Sequence, residues 1–200
     1  MRIISFAMIG CAFLIGCSSG PIKPPENRNP PPLEALNNFS DYVVHPIELD
    51  PEYAARGANP RAIKKIQENL DLRLIPLAAE WKRTATTATV RTLDIQPRIK
   101  QLKFVSGSGR FWGSFVDQFT WSNEMTGDSV VVMTLELKER ESGKLIATPE
   151  FYQHAKASAG RWTRGASDNM MLVRITSLAE EYLKNNYATA VGGPTGKPKE

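Results

Sequence analysis

From Ser129 to Glu139 the chain alternates with strict parity: Val131, Met133, Leu135 and Leu137 fall on one side, Thr134, Glu136 and Lys138 on the other. A strand written this way has one face that must be covered and one that can meet water. Glu141-Ser142-Gly143 follows as a hairpin turn with its glycine placed for a positive φ, and Leu145 to about Ala157 is predicted to return antiparallel, interrupted at Pro149. The apolar side of such a sheet needs a second layer, and two stretches have the period to supply it. Asn59-Pro60 opens the first as a cap followed by proline at the first helical position. Ile63, Ile66, Leu70, Leu74, Leu77 and Trp81 then recur at spacings of three and four, predicting a helix from about Pro60 to Lys82. Pro76 lies inside it, lacks an amide donor, and is expected to kink the helix or end a first segment near Leu74. In the second stretch Met171, Ile175, Leu178 and Tyr182 align beside Leu172, Ala179 and Leu183, behind a cap at Ser167 or Asp168.

Two further segments read as extended. Asp41 to Leu49 is a strand that Pro46 confines to an edge or breaks. In Val90 to Phe104, Leu93, Ile95, Pro97 and Ile99 share one parity while Leu102 and Phe104 take the other, which predicts a bulge near Lys100-Gln101. Strand, helix, strand implies that the first two strands run parallel. The expected fold is therefore an α+β two-layer domain: a mixed sheet of about four strands, two main helices on one face, in the order β-α-β-β-β-α.

The first residues are of a different kind. Arg2 precedes an apolar run, Ile3 to Leu14, too short for a bilayer that needs roughly 20 apolar residues but of the length of a secretory signal core. The run ends in Leu14-Ile15-Gly16-Cys17, which resembles the lipobox of bacterial lipoproteins. That resemblance implies cleavage after Gly16 and acylation of Cys17 by diacylglycerol on its sulfur and palmitate on its freed amine. Residues 1–16 are then a signal peptide, and Cys17 is the candidate lipidation site. Ser18, where an aspartate would stand for inner-membrane retention, implies by the same analogy an outer-membrane location, lipid-anchored and facing the periplasm. Ser18 to about Pro32 is rich in Ser, Gly, Asn, Lys and Pro, and fifteen such residues in polyproline conformation reach roughly 45 Å. A short turn of helix is expected in Leu33 to Phe39. The expected organisation is residues 17–38 as lipidated cysteine and disordered linker, 39–187 as the folded domain and 188–200 as a flexible tail.

Composition then narrows the chemistry. Cys11 and Cys17 are the only cysteines, and the first would be removed and the second acylated, so no disulfide, cysteine metal site or thiol catalysis is expected in the domain. His45 and His154 leave little for a zinc site. The net charge of +4 is small and scattered, which argues against a nucleic-acid partner. Gly107-Ser108-Gly109-Arg110-Phe111-Trp112-Gly113 lacks the spacing and the lysine of a phosphate-binding loop and reads as a turn. Neither Ser108 nor Ser114 stands in a nucleophile-elbow pattern that would serve a histidine, and the carboxylates Glu139 and Glu141 read as solvated flanks of a turn. No catalytic residue, metal or cofactor is expected. The densest aromatic cluster, with Phe111, Phe115 and Phe119 on one face of a short helix, lies beside Trp112, Trp121 and Arg110. Together with Arg161, Trp162 and Arg164 it forms the candidate binding surface, where rings supply area and arginines supply ionic hydrogen bonds. The competing reading makes the same rings a cover for the core.

Thr148-Pro149-Glu150-Phe151-Tyr152-Gln153, then Gly160, Trp162, Gly165 to Asn169 and Glu181 to Tyr187, resemble uncharacterised bacterial lipoproteins grouped as a domain of unknown function. The resemblance covers roughly Asn59 to Tyr187, and Ser142 departs from the threonine usual in their hairpin turn. It implies an outer-membrane-associated envelope protein with a small α/β sheet, similar in outline to the amino-terminal domain of TolB-like proteins. The function expected is that of a non-enzymatic accessory or adaptor in an outer-membrane or periplasmic assembly, with an envelope protein as partner. A binding module for lipid, lipopolysaccharide or peptidoglycan is the alternative, and a glycan or peptidoglycan hydrolase the third class.

Overall fold

The computed structural model describes residues 28–51, 60–86, 90–103, 129–155 and 164–197. Along the chain they form β1 (Arg28–Asn29), a 3-10 turn (Leu36–Asn38), β2 (Asp41–Val44), β3 (Glu48–Leu49), α1 (Pro60–Thr84), β4 (Thr92–Lys103), β5 (Ser129–Glu139), β6 (Leu145–Ala147), β7 (Glu150–Ala155), α2 (Arg164–Asn185) and β8 (Gly193–Pro194). In the main sheet β2 and β3 both run parallel to β4, β4 is antiparallel to β5, and β6 and β7 are both antiparallel to β5. Six strands thus occupy four positions. Pro46 and Pro149 break the two outer ones, because a proline cannot donate to a ladder.

The alternation read in the sequence sets the faces. Leu93, Ile95 and Ile99 of β4 and Val131, Met133, Leu135 and Leu137 of β5 are buried in one cluster with Ile66, Leu70 and Leu74 of α1 and Met171, Ile175 and Tyr182 of α2. Both helices therefore cover one side of the sheet, giving the two-layer α+β domain that the periodicities predict. The register shifts between Ile99 and Gln101, and the bulge lets Ile99 and Leu102 both reach the core despite their opposite parity. Gly143 closes the β5–β6 hairpin at φ +69°. Where α1 ends, Trp81 stacks on Tyr187 at 4.4 Å and meets Tyr42 edge-on at 5.2 Å, so both helices are fastened to β2 by aromatic contacts.

Three expectations need correction. Helix α1 is continuous through Pro76, so no first segment ends near Leu74; Pro76 and Leu72, whose carbonyl loses its amide partner, lie on the exposed side. Helix α2 begins at Arg164, ahead of the cap expected at Ser167 or Asp168. Residues 28–38 are part of the fold rather than linker, and residues 191–197 are part of it rather than tail. The Asn29 side chain donates to the Glu150 carbonyl at 2.9 Å and accepts its amide at 2.8 Å, so a side chain completes the edge of β7 where prolines cannot. Leu33 N–H donates to the Ile146 carbonyl, and Leu36 and Phe39 are fully buried.

Both ends of the chain meet at the close of α2. Asn186 is fully buried. Its Oδ1 accepts the Val191 and Gly192 amides, each at 2.8 Å, and its Nδ2 donates to the Tyr182 and Gly192 carbonyls. Its own carbonyl accepts the Leu36 amide at 2.9 Å. Gly192 stands at φ +75°, and a Cβ there would strike the Asn29 carbonyl oxygen.

Asn186→Ala should lower the unfolding free energy by about 2–4 kcal/mol, since it leaves buried amides unpaired. Denaturant unfolding measures this, and a loss below about 0.5 kcal/mol would contradict the role given to Asn186. Pro76→Ala, which restores an amide donor in mid-helix, should raise the unfolding free energy by about 1–3 kcal/mol, read as a higher denaturant midpoint.

Candidate functional site

Of the residues singled out in the sequence, Cys17, Arg110, Trp112, Trp121, Arg161 and Trp162 lie outside the described residues, as does the expected helix over Phe111, Phe115 and Phe119. Arg164 opens α2, its side chain also outside the description. The topology nonetheless fixes where their segments are rooted. The segment carrying Arg110, Trp112 and Trp121 leaves from Lys103 and returns at Ser129; the one carrying Arg161 and Trp162 leaves from Ala155 and returns at Arg164. Lys103 pairs with Val130, and Ser129 pairs with Ala155, so these strand ends share one end of the sheet.

The first described residues, Arg28 and Asn29, lie along the β7 edge of the same sheet. Tyr152 N–H donates to the Thr195 carbonyl and Gln153 Nε2 to that of Gly196, so residues 195 and 196 advance alongside β7 toward Ala155. Strand β1 is antiparallel to β8. Residues 29 to 33 therefore run away from the Ala155 end, from Glu150 to Ile146. Neither the short β1 nor this direction has any periodic signal in the sequence.

The sheet face opposite the helices carries ion pairs in rows. Asp94 accepts from the Arg140 guanidinium and lies 2.8 Å from His45 Nε2; its carboxyl is held below the usual aspartate range, chiefly by Arg140. Arg98 reaches Glu48 at 3.0 Å and Glu136 at 3.4 Å. Glu136 also accepts from Lys138, which is the main cause of its lowered pKa. Lys100 meets Glu150 at 2.8 Å. His45 thus faces Asp94 rather than Glu48 or Asp50, and His154 lies beside the Tyr152 ring at 5.8 Å. Among the described residues no three His, Cys, Asp or Glu side chains are grouped to hold a metal ion.

A second charged cluster fastens the 28–40 segment. Glu34 receives two bonds from the Arg91 guanidinium, at 2.8 and 2.9 Å, and Glu139 receives a third at 2.6 Å. The same guanidinium lies 4.5 Å from the centre of the Phe39 ring. Glu139 also accepts the Ser142 hydroxyl, and Glu141 accepts the Thr92 amide at 3.0 Å. Of the two carboxylates read in the sequence as solvated turn flanks, Glu141 is exposed, whereas the Glu139 side chain is only 12% exposed and serves as a structural acceptor.

No known family matches the chain, and no curated protein matches it. Among solved structures it is similar to a PelC dodecamer from Paraburkholderia phytofirmans, at 14% identity and a TM-score of 0.38 over 75% of this chain and 93% of that one. A Xanthomonas campestris protein described as DUF330 aligns at 10% identity and TM-score 0.41, covering 72% and 84%. A minor lipoprotein from Acinetobacter baumannii aligns at 10% identity and TM-score 0.31, covering 77% and 98%. Proteins described as a lipoprotein or by a domain of unknown function are thus among those the chain is similar to. None of the three is a TolB-like protein, and likeness at these values carries no argument about activity. Among the described residues no helix is long and apolar enough to cross a membrane.

The Arg91 cluster makes the fastening of the amino-terminal segment pH-dependent. Arg91, by its hydrogen bonds above all, holds Glu34 down to about 2 from an ordinary 4.5. A depressed folded pKa contributes stability that is complete above about 4.5 and is lost as pH falls toward 2. After allowance for solvent screening this amounts to about 1 kcal/mol. Glu34→Gln should remove that component, so that unfolding free energies of variant and parent converge as pH falls through this window. A gap that stays constant from pH 6 to about 2.5 would contradict the assignment.

Proposed function

We propose that the chain is a lipid-anchored envelope protein acting as a non-enzymatic accessory through protein contacts made at one end of its sheet. The supporting observation is that the roots of both arginine- and tryptophan-bearing segments share the end marked by Lys103, Ser129 and Ala155, and that the described chain runs away from that end as it enters the fold. In this reading the lipobox Leu14-Ile15-Gly16-Cys17 supplies the anchor. The leash is short: from Cys17 to Arg28, at about 3.1 Å per residue, it reaches no more than roughly 35 Å. Arg110, Trp112, Trp121, Arg161, Trp162 and Arg164 are then borne close to the leaflet, where a membrane-bound assembly would meet them. Ser18 directs the protein to the outer membrane, on its periplasmic side.

The anchor is tested by mass spectrometry of the mature amino-terminal peptide, which should begin at an acylated Cys17; a free thiol or another start overturns it. Cys17→Ser should accumulate as precursor or shift to the soluble fraction, and unchanged membrane association would count against the reading. In cells, photocrosslinkers at positions 112 and 162 should capture one and the same envelope protein, while one at Lys138, at the opposite end of the sheet, should not. Capture of lipopolysaccharide or peptidoglycan from 112 and 162 instead would replace the adaptor by a binding module.

A further inference from the structure

The outward side of α1 carries a pattern that neither the core nor the ion pairs account for. Leu72 and Ile75 are 76% and 52% exposed, and with exposed Pro76 and Ala79 they make an apolar centre. Lys64 and Lys65 stand exposed before it, Lys82 and Arg83 after it. At about 100° per residue all eight lie within about 60° of one line along the helix. Glu68 shares that line and is paired with Lys65 at 3.4 Å, and Glu80 lies beside it. Lys82 also reaches Asp41 at 2.9 Å.

We propose that this face of α1 rests on an anionic phospholipid surface, the leaflet that holds the Cys17 anchor. The inference rests on the anchored reading and adds to it which side of the domain meets lipid. Charge argues first: basic residues bracket the apolar centre at both ends, which suits phosphate headgroups above acyl chains. A second copy fits badly, since packing two such faces parallel or antiparallel sets basic end on basic end. Area argues next. Four small apolar side chains offer on the order of 300 Å², well below the roughly 1,000 Å² that a stable contact between free proteins buries. A tethered domain needs far less, because its leash of roughly 35 Å keeps the surface at high effective concentration. The acyl chains on Cys17 supply the attachment, and the basic, apolar face adds to it which side of the domain meets the leaflet.

The test uses the mature lipidated chain with an environment-sensitive fluorophore at Leu72→Cys, in vesicles of pure phosphatidylcholine or vesicles containing phosphatidylglycerol. Flotation with phosphatidylcholine vesicles reads the anchor alone. Blue-shifted emission with phosphatidylglycerol, absent with phosphatidylcholine, absent from a probe at Leu145 on the sheet edge, and reversed by salt, supports the inference. Lys64 and Arg83 carry no ion pair among the described residues, so Lys64→Gln with Arg83→Gln should leave folding intact. At about fivefold per basic residue, the pair should lower the docked-to-undocked ratio roughly 25-fold. A floating chain whose probe does not shift with phosphatidylglycerol overturns the inference and leaves the anchor standing. A shift that needs no vesicles and grows with protein concentration overturns it in favour of a contact between copies.

Discussion

A single buried amide, that of Asn186, holds the two ends of the chain against the rest. Its oxygen accepts two backbone amides of the carboxy-terminal return and its nitrogen donates to two carbonyls, while its own carbonyl receives the amide of Leu36. Helix ends leave their last carbonyls without partners, and here the amino-terminal segment supplies amides to Asn186 and Tyr187. The consequence is mechanical. Any pull on the chain before Arg28 passes through β1, β8 and Asn29 into the edge of β7, rather than through a loose peptide.

This arrangement also protects the sheet. The β6–β7 edge would present unpaired backbone groups; Leu33, Asn29 and Thr195 engage Ile146, Glu150 and Tyr152 there. The opposite edge is short, broken at Pro46, and partly satisfied by α1, whose Gln67 side chain accepts the Ile47 amide at 2.7 Å. Edges treated in these ways do not template pairing with other chains. Two prolines and two chain ends thus do for this sheet what closure does for a barrel.

Much of this was legible because burial and period coincide. Val131 to Leu137, Leu93 to Ile99 and the apolar faces of both helices declared the sheet, its covered side and the bulge before Leu102. What could not be read depends on single side chains acting in place of backbone. Asn29 in a run of prolines looks like linker until Glu150 is seen to meet it, and Leu36 and Phe39 are too few to show a period. Pro76 does not end the helix for the converse reason: the residue left without its amide donor, Leu72, is on the exposed side, where water can take the donor's place. For the candidate surface the sequence named residue types, and the topology added that both segments spring from one end of the sheet. Nothing in either pattern alone pairs Arg110 with Trp162.

The placement of charge separates the two layers. On the sheet face Arg98, Lys100, Lys138 and Arg140 each have a carboxylate within reach, so their fields largely cancel, and such exposed pairs contribute little stability. Their effect is to keep a flat strand surface hydrated. On the outer face of α1 only Glu68 stands on the same line to offset basic residues that flank an apolar strip. A chain of net charge +4 has little excess to distribute; Lys65 and Lys82 are paired with Glu68 and Asp41, while Lys64 and Arg83, without an ion pair among the described residues, give one helix face a polarity that the total conceals. For a free protein that imbalance would be a weak and unselective attraction. On the lipid tether proposed for Cys17 it would decide which layer turns toward an anionic leaflet and which faces away.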